Sequence, residues 1–317
     1  MADQLTRARF EAQVANGGDG EDARRLAAAI RAGGEGHGEL AALFVHAAIA
    51  APERLAVIYD GATEGWLGVA PRGLMIEAHG TPAAIDPAFW GPFWDLVDDP
   101  DAGRSAGDIT ERTAALAGLM TPAFRTRVAE TARLYPGVKE AAAVGYPSRF
   151  SLEALARCPK GSLGAEFHDL IVDNGFDLEV LDREALGLAD LPAPLDYLNA
   201  RILQCHDLWH ILAGYQTTIL HEVAISGFQM AQFGHHYSSM FLGVVTSKMA
   251  LNQPEALPLF LDVILTAWTH GRQCPPLIGL DWEALWDQPA EAIRAATGVT
   301  LYASPYPADL FEQLQAA

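Results

Sequence analysis

The stretch Cys205–Glu222, CHDLWHILAGYQTTILHE, sets two histidines, an aspartate and a glutamate around a turn signal. His206 and His210 stand at i and i+4, which on a helix puts them about 40° apart around the axis and roughly 6 Å along it. Two imidazoles so placed can converge on one metal ion. Asp207 falls about 60° around from His210, near enough to ligate or to orient a ligand. Glu222 cannot join them along one straight helix, because it would then be about 18 Å beyond His210. Gly214 supplies a stop and the Thr217-Thr218 pair a restart. The chain is therefore expected to fold back as a helical hairpin, with Glu222 in the first turn of the second helix, facing the histidines. Two neutral imidazoles and one or two carboxylates make a mixed N/O site that suits Zn²⁺, Fe²⁺ or Mn²⁺ and leaves positions open for water or substrate. An HxxxH pair alone is a common chance feature of helices; Asp207 and a carboxylate placed after a turn signal are what point to ligation.

Working outward, helical periodicity continues on both sides and long alternating strand patterns are missing. Pro192 and Pro194 introduce a helix over Leu195–Leu212. Apolar helices are expected over Thr218–Phe233, Tyr237–Leu251 and Pro254–His270, and a last one over Trp282–Thr297, stopped by Gly298. Upstream, Glu21–Arg31, Glu39–Ala50 and a segment opened by Pro52 read as helices, and Asp108, Thr121 and Ser151 read as N-caps. The expected architecture is all-α, a multi-helix bundle with a metal site on a helical hairpin. Gly- and Pro-rich text from Val69 to Pro92 reads as a connector. It separates an N-terminal helical extension (1–85) from a helical metal-binding domain (86–300). The two prolines of LYASPYPADLFEQLQAA suggest a loosely packed C-terminal tail (301–317).

Composition narrows the function. Among 317 residues, 40 acidic side chains face 21 basic ones, for a formal net charge of −19. Nucleic acid is excluded as a partner, since phosphate binding needs clustered Lys and Arg. Three scattered cysteines without CxxC spacing point to a reducing compartment. The opening Met1-Ala2-Asp3-Gln4 shows no targeting signal, and no apolar run is long enough to span a bilayer. The expectation is a cytoplasmic protein, soluble or peripheral. His168-Asp169, His221 and His235-His236 lack matching partner sets and read as surface or packing residues. Cys205 and Cys274 read as small buried residues rather than nucleophiles.

The spacing His206-Asp207-x-x-His210, eleven residues, then Glu222 resembles the HDxxH-x11-E signature of the coenzyme Q (ubiquinone) biosynthesis protein family that stands fourth in the coenzyme Q series. CPKGSLGAEFHDLIVDNGFD (Cys158–Asp177) is similar to the family's P-x-G-[ST]-L-G segment and N-G-x-D turn. GRQCPPLIGLDWEALWDQPAEAIRAATGV (Gly271–Val299) is similar to its closing P-L-x-x-x-W-E…P…R segment. The resemblance implies metal ligation, and the catalytic site, at His206, Asp207, His210 and Glu222, with zinc the usual assignment. It implies a decarboxylase that removes the ring carboxylate at C1 of a 4-hydroxy-polyprenylbenzoate, coupled to hydroxylation there, or else a non-catalytic lipid-binding scaffold for the biosynthetic enzymes. A metallohydrolase of another pathway is the third reading. The chain departs from the family at His221, where Gly is common and where the imidazole offers a fifth ligand or a proton carrier, at Gln216, where Pro is common, and near Cys274, where a basic residue is common. No counterpart covers the first 85 or so residues.

A polyprenyl substrate demands an apolar groove. Val223, Phe228, Met230, Phe233, Met240, Phe241, Val244 and Val245 follow the motif on consecutive helices, with Gly227 and Gly243 leaving room for close approach. Phe228, Met230 and Phe241 are the expected substrate-binding residues. The basic stretch FRTRVAETARLYPGVK (Phe124–Lys139) reads first as a solvated helix face and, as the sharper alternative, as a membrane-docking surface; the expected location is peripheral to the inner, cytoplasmic membrane. The expected partners are a polyprenylated aromatic quinone precursor, other ubiquinone biosynthesis enzymes and a second copy of the chain in a homodimer.

Overall fold

The helix starts are secured by the side chains that the sequence offers. Asp19 accepts from the backbone N–H groups of Glu21 and Asp22, while the Asp22 carboxylate accepts from the Asp19 N–H, completing a capping box. Thr121, Ser151 and Ser162 cap three further helices in the same manner, each such cap being worth about 1 kcal/mol.

A computed structural model describes residues 3–71, 76, 80–102, 106–179 and 181–316, with the backbone alone for 106–108 and 315–316. The helix expected to start at Asp108 begins at Ala106, which places Asp108 inside its first turn, and part of the Val69–Pro92 connector lies outside that description. The first group of helices is α1 (Gln4–Asn16), α2 (Gly20–Arg31), α3 (His37–Ile49) and α4 (Leu55–Leu67). Then come α5 (Trp90–Val97), α6 (Ala106–Gly118), α7 (Pro122–Ala132), α8 (Val138–Ala142), α9 (Leu152–Leu155) and α10 (Leu163–Asn174). The centre is built from α11 (Leu195–Ala213), α12 (Ile219–Phe233), α13 (His236–Asn252) and α14 (Leu257–Gln273), followed by α15 (Ala290–Thr297) and α16 (Leu310–Ala316). No strand occurs among the described residues, and the fold is an all-α bundle.

Helix α12 is buried along nearly its whole length between α14 and α13. The N-terminal helices wrap this centre: α3 runs along α13, α4 along α14, and α2 along α4. One hydrophobic core passes through all of them, from Phe10 and Phe44 to Trp209, Trp268 and Trp282. Gly227 meets the Ile264 carbonyl of α14 and Gly243 meets Val45 of α3, where an added Cβ would stand 2.9 and 3.2 Å away. Their smallness serves helix–helix approach.

Two expectations are corrected. The helix expected over Trp282–Thr297 begins only at Ala290. Proline lacks an N–H and pushes the residue before it out of the helical region, so Pro289 blocks continuation. The preceding turns instead use the carbonyls of Trp286 and Gln288 to accept from the first N–H groups of α10, those of Gly164 and Leu163. Nor is the C-terminal segment loose. The Tyr302 ring stacks on Tyr215 at 4.5 Å, Tyr306 donates to Asp262, and Phe311 packs against Phe260. Its aromatic residues supply the burial that its prolines seemed to deny.

Candidate metal centre

Gly214 ends α11 in the left-handed region, at φ +79°, and the chain turns back through Tyr215–Thr218 into α12. This hairpin carries Glu222 to the two histidines. His206 Nε2 lies 3.2 Å from Glu222 Oε2, His210 Nε2 lies 3.4 Å from Glu222 Oε1, and the two Nε2 atoms are 3.1 Å apart. One ligand atom from each of the three residues falls within 4.8 Å of the others. Asp207 is not part of this group; it sits half-buried beside it, and its charge is felt at both histidines.

The surrounding bonds decide which lone pairs face inward. His210 Nδ1 donates to the Tyr215 carbonyl at 3.1 Å, so its Nε2 is left bare toward the centre. His206 Nδ1 is held by Gln229 Nε2 at 2.8 Å. Burial opposes charge on His206, yet the bond to Glu222 and its negative charge raise the His206 pKa. Burial likewise opposes ionisation of Glu222, but the bond to His206 and the charges of the histidines hold it below the usual carboxylate range. His210, where burial prevails, is pushed down and stays neutral. Two imidazole Nε2 atoms and a carboxylate gathered at one point are a donor set that fits a divalent cation of the zinc, iron or manganese type once His206 carries its proton on Nδ1.

His221 faces away from the centre. Its Nδ1 accepts from the Gln216 N–H at 2.8 Å, and its ring meets Tyr215 and Tyr302 edge-on. It stabilises the turn that a proline would otherwise stiffen.

His206 and Glu222 also form part of the wall of a cavity of about 890 Å³; His210 stands behind them. Apolar side chains dominate the rest of the wall, among them Ile109, Val223, Phe241, Val244, Val245 and Phe260. Of the three expected substrate-binding residues, Phe241 lines this cavity. Phe228 and Met230 do not: both are fully buried, with the Phe228 ring against Tyr215 and His270. Along α12 the wall is made by Ile219, Glu222, Val223, Ser226 and Gln229, and Phe228 and Met230 point into the core on the other side.

Three residues of this region carry no signal in the motif itself. Gln229 follows Glu222 by seven positions and so shares its helix face; that spacing is the clue that could have found it. Ser238 donates to Gln229 Oε1 at 3.2 Å, and His235 Nδ1 lies 2.9 Å from Ser238 Oγ. His235, expected as a packing residue, is on the cavity wall. His168 pairs with its neighbour Asp169 near the surface, and burial raises the thiols of Cys205, to about 12, and of Cys274.

The basic stretch is largely engaged within the molecule. Arg127 pairs with Glu53, Arg125 donates to the Gly118 carbonyl and Arg133 to the Ala193 carbonyl. Among the exposed apolar side chains, Leu134 belongs to this stretch, Phe176 and Leu186 are part of the cavity wall, and Leu119 is next to Gly118 of that wall.

Residues 144–303, about half of the chain and all of the hairpin, match the family profile of the coenzyme Q (ubiquinone) biosynthesis protein Coq4. The chain belongs to the Coq4 family. Among curated members, it is 29% identical over 153 residues to the mitochondrial ubiquinone biosynthesis protein COQ4 homolog of Rattus norvegicus, a span of 48% of this chain and 56% of that protein. The Homo sapiens homolog is 29% identical over 161 residues, again 48% and 56% of the two chains. The matched region therefore spans little more than half the length of these Coq4 relatives. A crystal structure of a Nostoc punctiforme protein assigned to ubiquinone biosynthesis shares the fold, with a TM-score of 0.50 and 22% identity over 67% of this chain and 96% of that one. The Coq4 match begins after the helices α1–α8, which supply Ile109 and other parts of the cavity wall.

Proposed function

We propose that this Coq4-family chain acts in ubiquinone biosynthesis as a metal-dependent enzyme that decarboxylates a 4-hydroxy-polyprenylbenzoate at ring carbon C1. The observation that supports this reading is the placement of His206 and Glu222 in the wall of an apolar cavity of about 890 Å³. A ligand cluster at the surface of a large greasy pocket suits a small polar ring head with a long hydrocarbon tail.

His206, His210 and Glu222 would hold the ion, zinc being the first expectation and iron or manganese the alternatives, with Asp207 adding negative charge beside them. A bound divalent cation supplies Lewis-acid stabilisation of negative charge on the substrate's carboxylate or phenolate oxygen. The apolar wall on α13 and α6 takes up the prenyl chain and excludes water from the ring. In the oxidative form the acid, dioxygen and water give the C1 phenol, CO₂ and hydrogen peroxide: the C1–carboxylate bond breaks, a C1–oxygen bond forms, and the two electrons reduce dioxygen.

For membrane access, the exposed Phe176, Leu186 and Leu119 favour an apolar contact at the inner, cytoplasmic membrane by a peripheral protein. No helix among the described residues is long and apolar enough to cross a membrane. The curated relatives are named as mitochondrial. Other ubiquinone biosynthesis enzymes are the partners this reading requires.

The test is elemental analysis of protein purified without added metal, followed by assay of CO₂ release from a prenylated 4-hydroxybenzoate under air. One bound ion per chain and turnover that disappears in His210→Ala are expected. A His210→Ala protein that binds no metal yet restores quinone synthesis in a depleted strain overturns catalysis at this site in favour of a lipid-presenting scaffold.

A further inference from the structure

The buried chain His206–Gln229–Ser238–His235 couples the ligand cluster to a histidine on the cavity wall. Each link has a direction. As the amide stands, Gln229 Nε2 donates to His206 Nδ1 at 2.8 Å and Gln229 Oε1 accepts from Ser238 Oγ at 3.2 Å. Ser238, its single proton so engaged, accepts from His235 Nδ1 at 2.9 Å. His235 Nε2 has no protein partner among the described residues, and its ring lines the same cavity as His206 and Glu222. Burial, with repulsion from His236 and His206, pushes the His235 pKa down to about 3, so the ring is neutral at pH 7 and has one N–H to place. With the N–H on Nδ1, the cavity sees a bare lone pair.

Ligation of His206 through Nε2 reverses every link. The ring must then carry its proton on Nδ1, where only an acceptor can meet it. Gln229 satisfies this by turning its amide over, so that Oε1 faces His206 and the NH₂ faces Ser238. The hydroxyl of Ser238, now an acceptor from Gln229, donates to His235 Nδ1. The His235 proton moves to Nε2.

We propose that His235 is a ligand-binding residue of this cavity whose tautomer is set by the metal site, presenting an N–H to an oxygen acceptor on the bound aromatic ring only when His206 is ligated. The inference rests on the metal reading given above. It identifies Gln229 and Ser238 as positioning residues, and the ligand group met by His235 as a carboxylate, phenolate or quinone-type oxygen.

Long-range ¹H–¹⁵N spectra of ¹⁵N-histidine-labelled full-length protein test it directly, with His235→Gln assigning the resonance. His235 is expected as the Nδ1–H tautomer without zinc and as the Nε2–H tautomer with one equivalent. Gln229→Glu has no N–H to give Ser238, so Ser238 donates to it. In that variant zinc should bind while His235 keeps Nδ1–H in both states. With zinc bound, His235→Phe should weaken binding of 3-farnesyl-4-hydroxybenzoate about threefold to tenfold, the worth of one hydrogen bond. A wild-type His235 that ignores zinc, or one that still switches in Gln229→Glu, overturns the coupling; unchanged ligand affinity in His235→Phe overturns the binding role. Zinc that leaves the His206 and His210 resonances unmoved overturns the metal reading itself, so the failures are told apart.

Discussion

The Tyr215 carbonyl lies 3.1 Å from His210 Nδ1, and it is the turn, not the helix, that orients this ring toward Glu222. The turn is in turn held by His221, whose Nδ1 accepts from the Gln216 N–H at 2.8 Å. His210→Ala and His221→Ala should therefore differ in kind. The first removes one of the proposed ligands and should abolish stoichiometric zinc binding; the second loosens the support of that ring and should leave one zinc per chain, bound about tenfold more weakly. Zinc at 100 times its Kd should stabilise wild-type protein by about 2.7 kcal/mol, an increment absent from His210→Ala. Calorimetric titration and thermal melts with and without chelator measure both, and His221→Ala losing zinc altogether would contradict the assignment.

The buried histidines make stability fall in acid. Burial pushes His235 to about 3 and His236 to about 4, so neither takes a proton in the folded chain until well below the usual 6.5. The unfolded chain protonates both near 6.5, so their contribution is present above that pH and is lost as pH falls. Each should cost about 1.4 kcal/mol per pH unit, from near 6.5 down to near its own folded value. His206 has the opposite sign: its raised pKa contributes stability below 6.5 that is lost as pH rises through the folded value. Urea midpoints at pH 7, 6 and 5 should show the net decline. In His236→Gln the slope should fall by about the share of one histidine.

The hairpin was legible because its signals are local: a 3.6-residue period, Gly214 as a stop, Thr217-Thr218 as a restart, and a carboxylate in the next turn. Asp207 shows where spacing runs out. Sixty degrees of helix separates it from His210, and it falls outside the cluster of His206, His210 and Glu222 while its charge still reaches both rings. The groove was half legible. Apolar residues follow the motif on both α12 and α13, but which of them face the core depends on where α14 packs, and no pattern within α12 says that Phe228 meets His270 while Val223 meets the cavity. His235 was legible only as a histidine; its link to His206 passes through two neutral polar side chains on two helices.

That division of α12 predicts two separable phenotypes. Phe228 is fully buried among aromatic rings, so Phe228→Ala should destabilise the fold by about 3–5 kcal/mol, with zinc stoichiometry unchanged in the folded fraction. Val245 lines the cavity, so Val245→Trp should fill space meant for ligand. It should weaken binding of a farnesylated hydroxybenzoate by about tenfold or more at a folding cost of about 1–3 kcal/mol or less. Denaturant midpoints and ligand titrations measure the pair. Equal ligand affinity in Val245→Trp would show that the chain lies elsewhere.

The C-terminal helix contributes to the wall of the same cavity. Phe311 and Glu312 are part of its wall, and Glu312 Oε1 accepts from the Ile219 N–H at 3.0 Å, capping the helix that carries Glu222. Thr218 Oγ1 donates to the Ala308 carbonyl at 2.7 Å, fastening the segment to the same turn. A helix start deprived of such an acceptor loses about 1 kcal/mol. Glu312→Ala should lower stability by that amount, while Glu312→Gln, which keeps an acceptor oxygen, should lose less. Removal of residues 310–317 takes away both the cap and the Phe311–Phe260 contact, and it should open the cavity to solvent. The readout is the fluorescence of a polarity-sensitive prenyl probe in the cavity, which should shift toward its aqueous value in the truncated chain and stay unshifted in Glu312→Gln. An unchanged spectrum in the truncated chain would show that α16 braces the hairpin without enclosing the ligand.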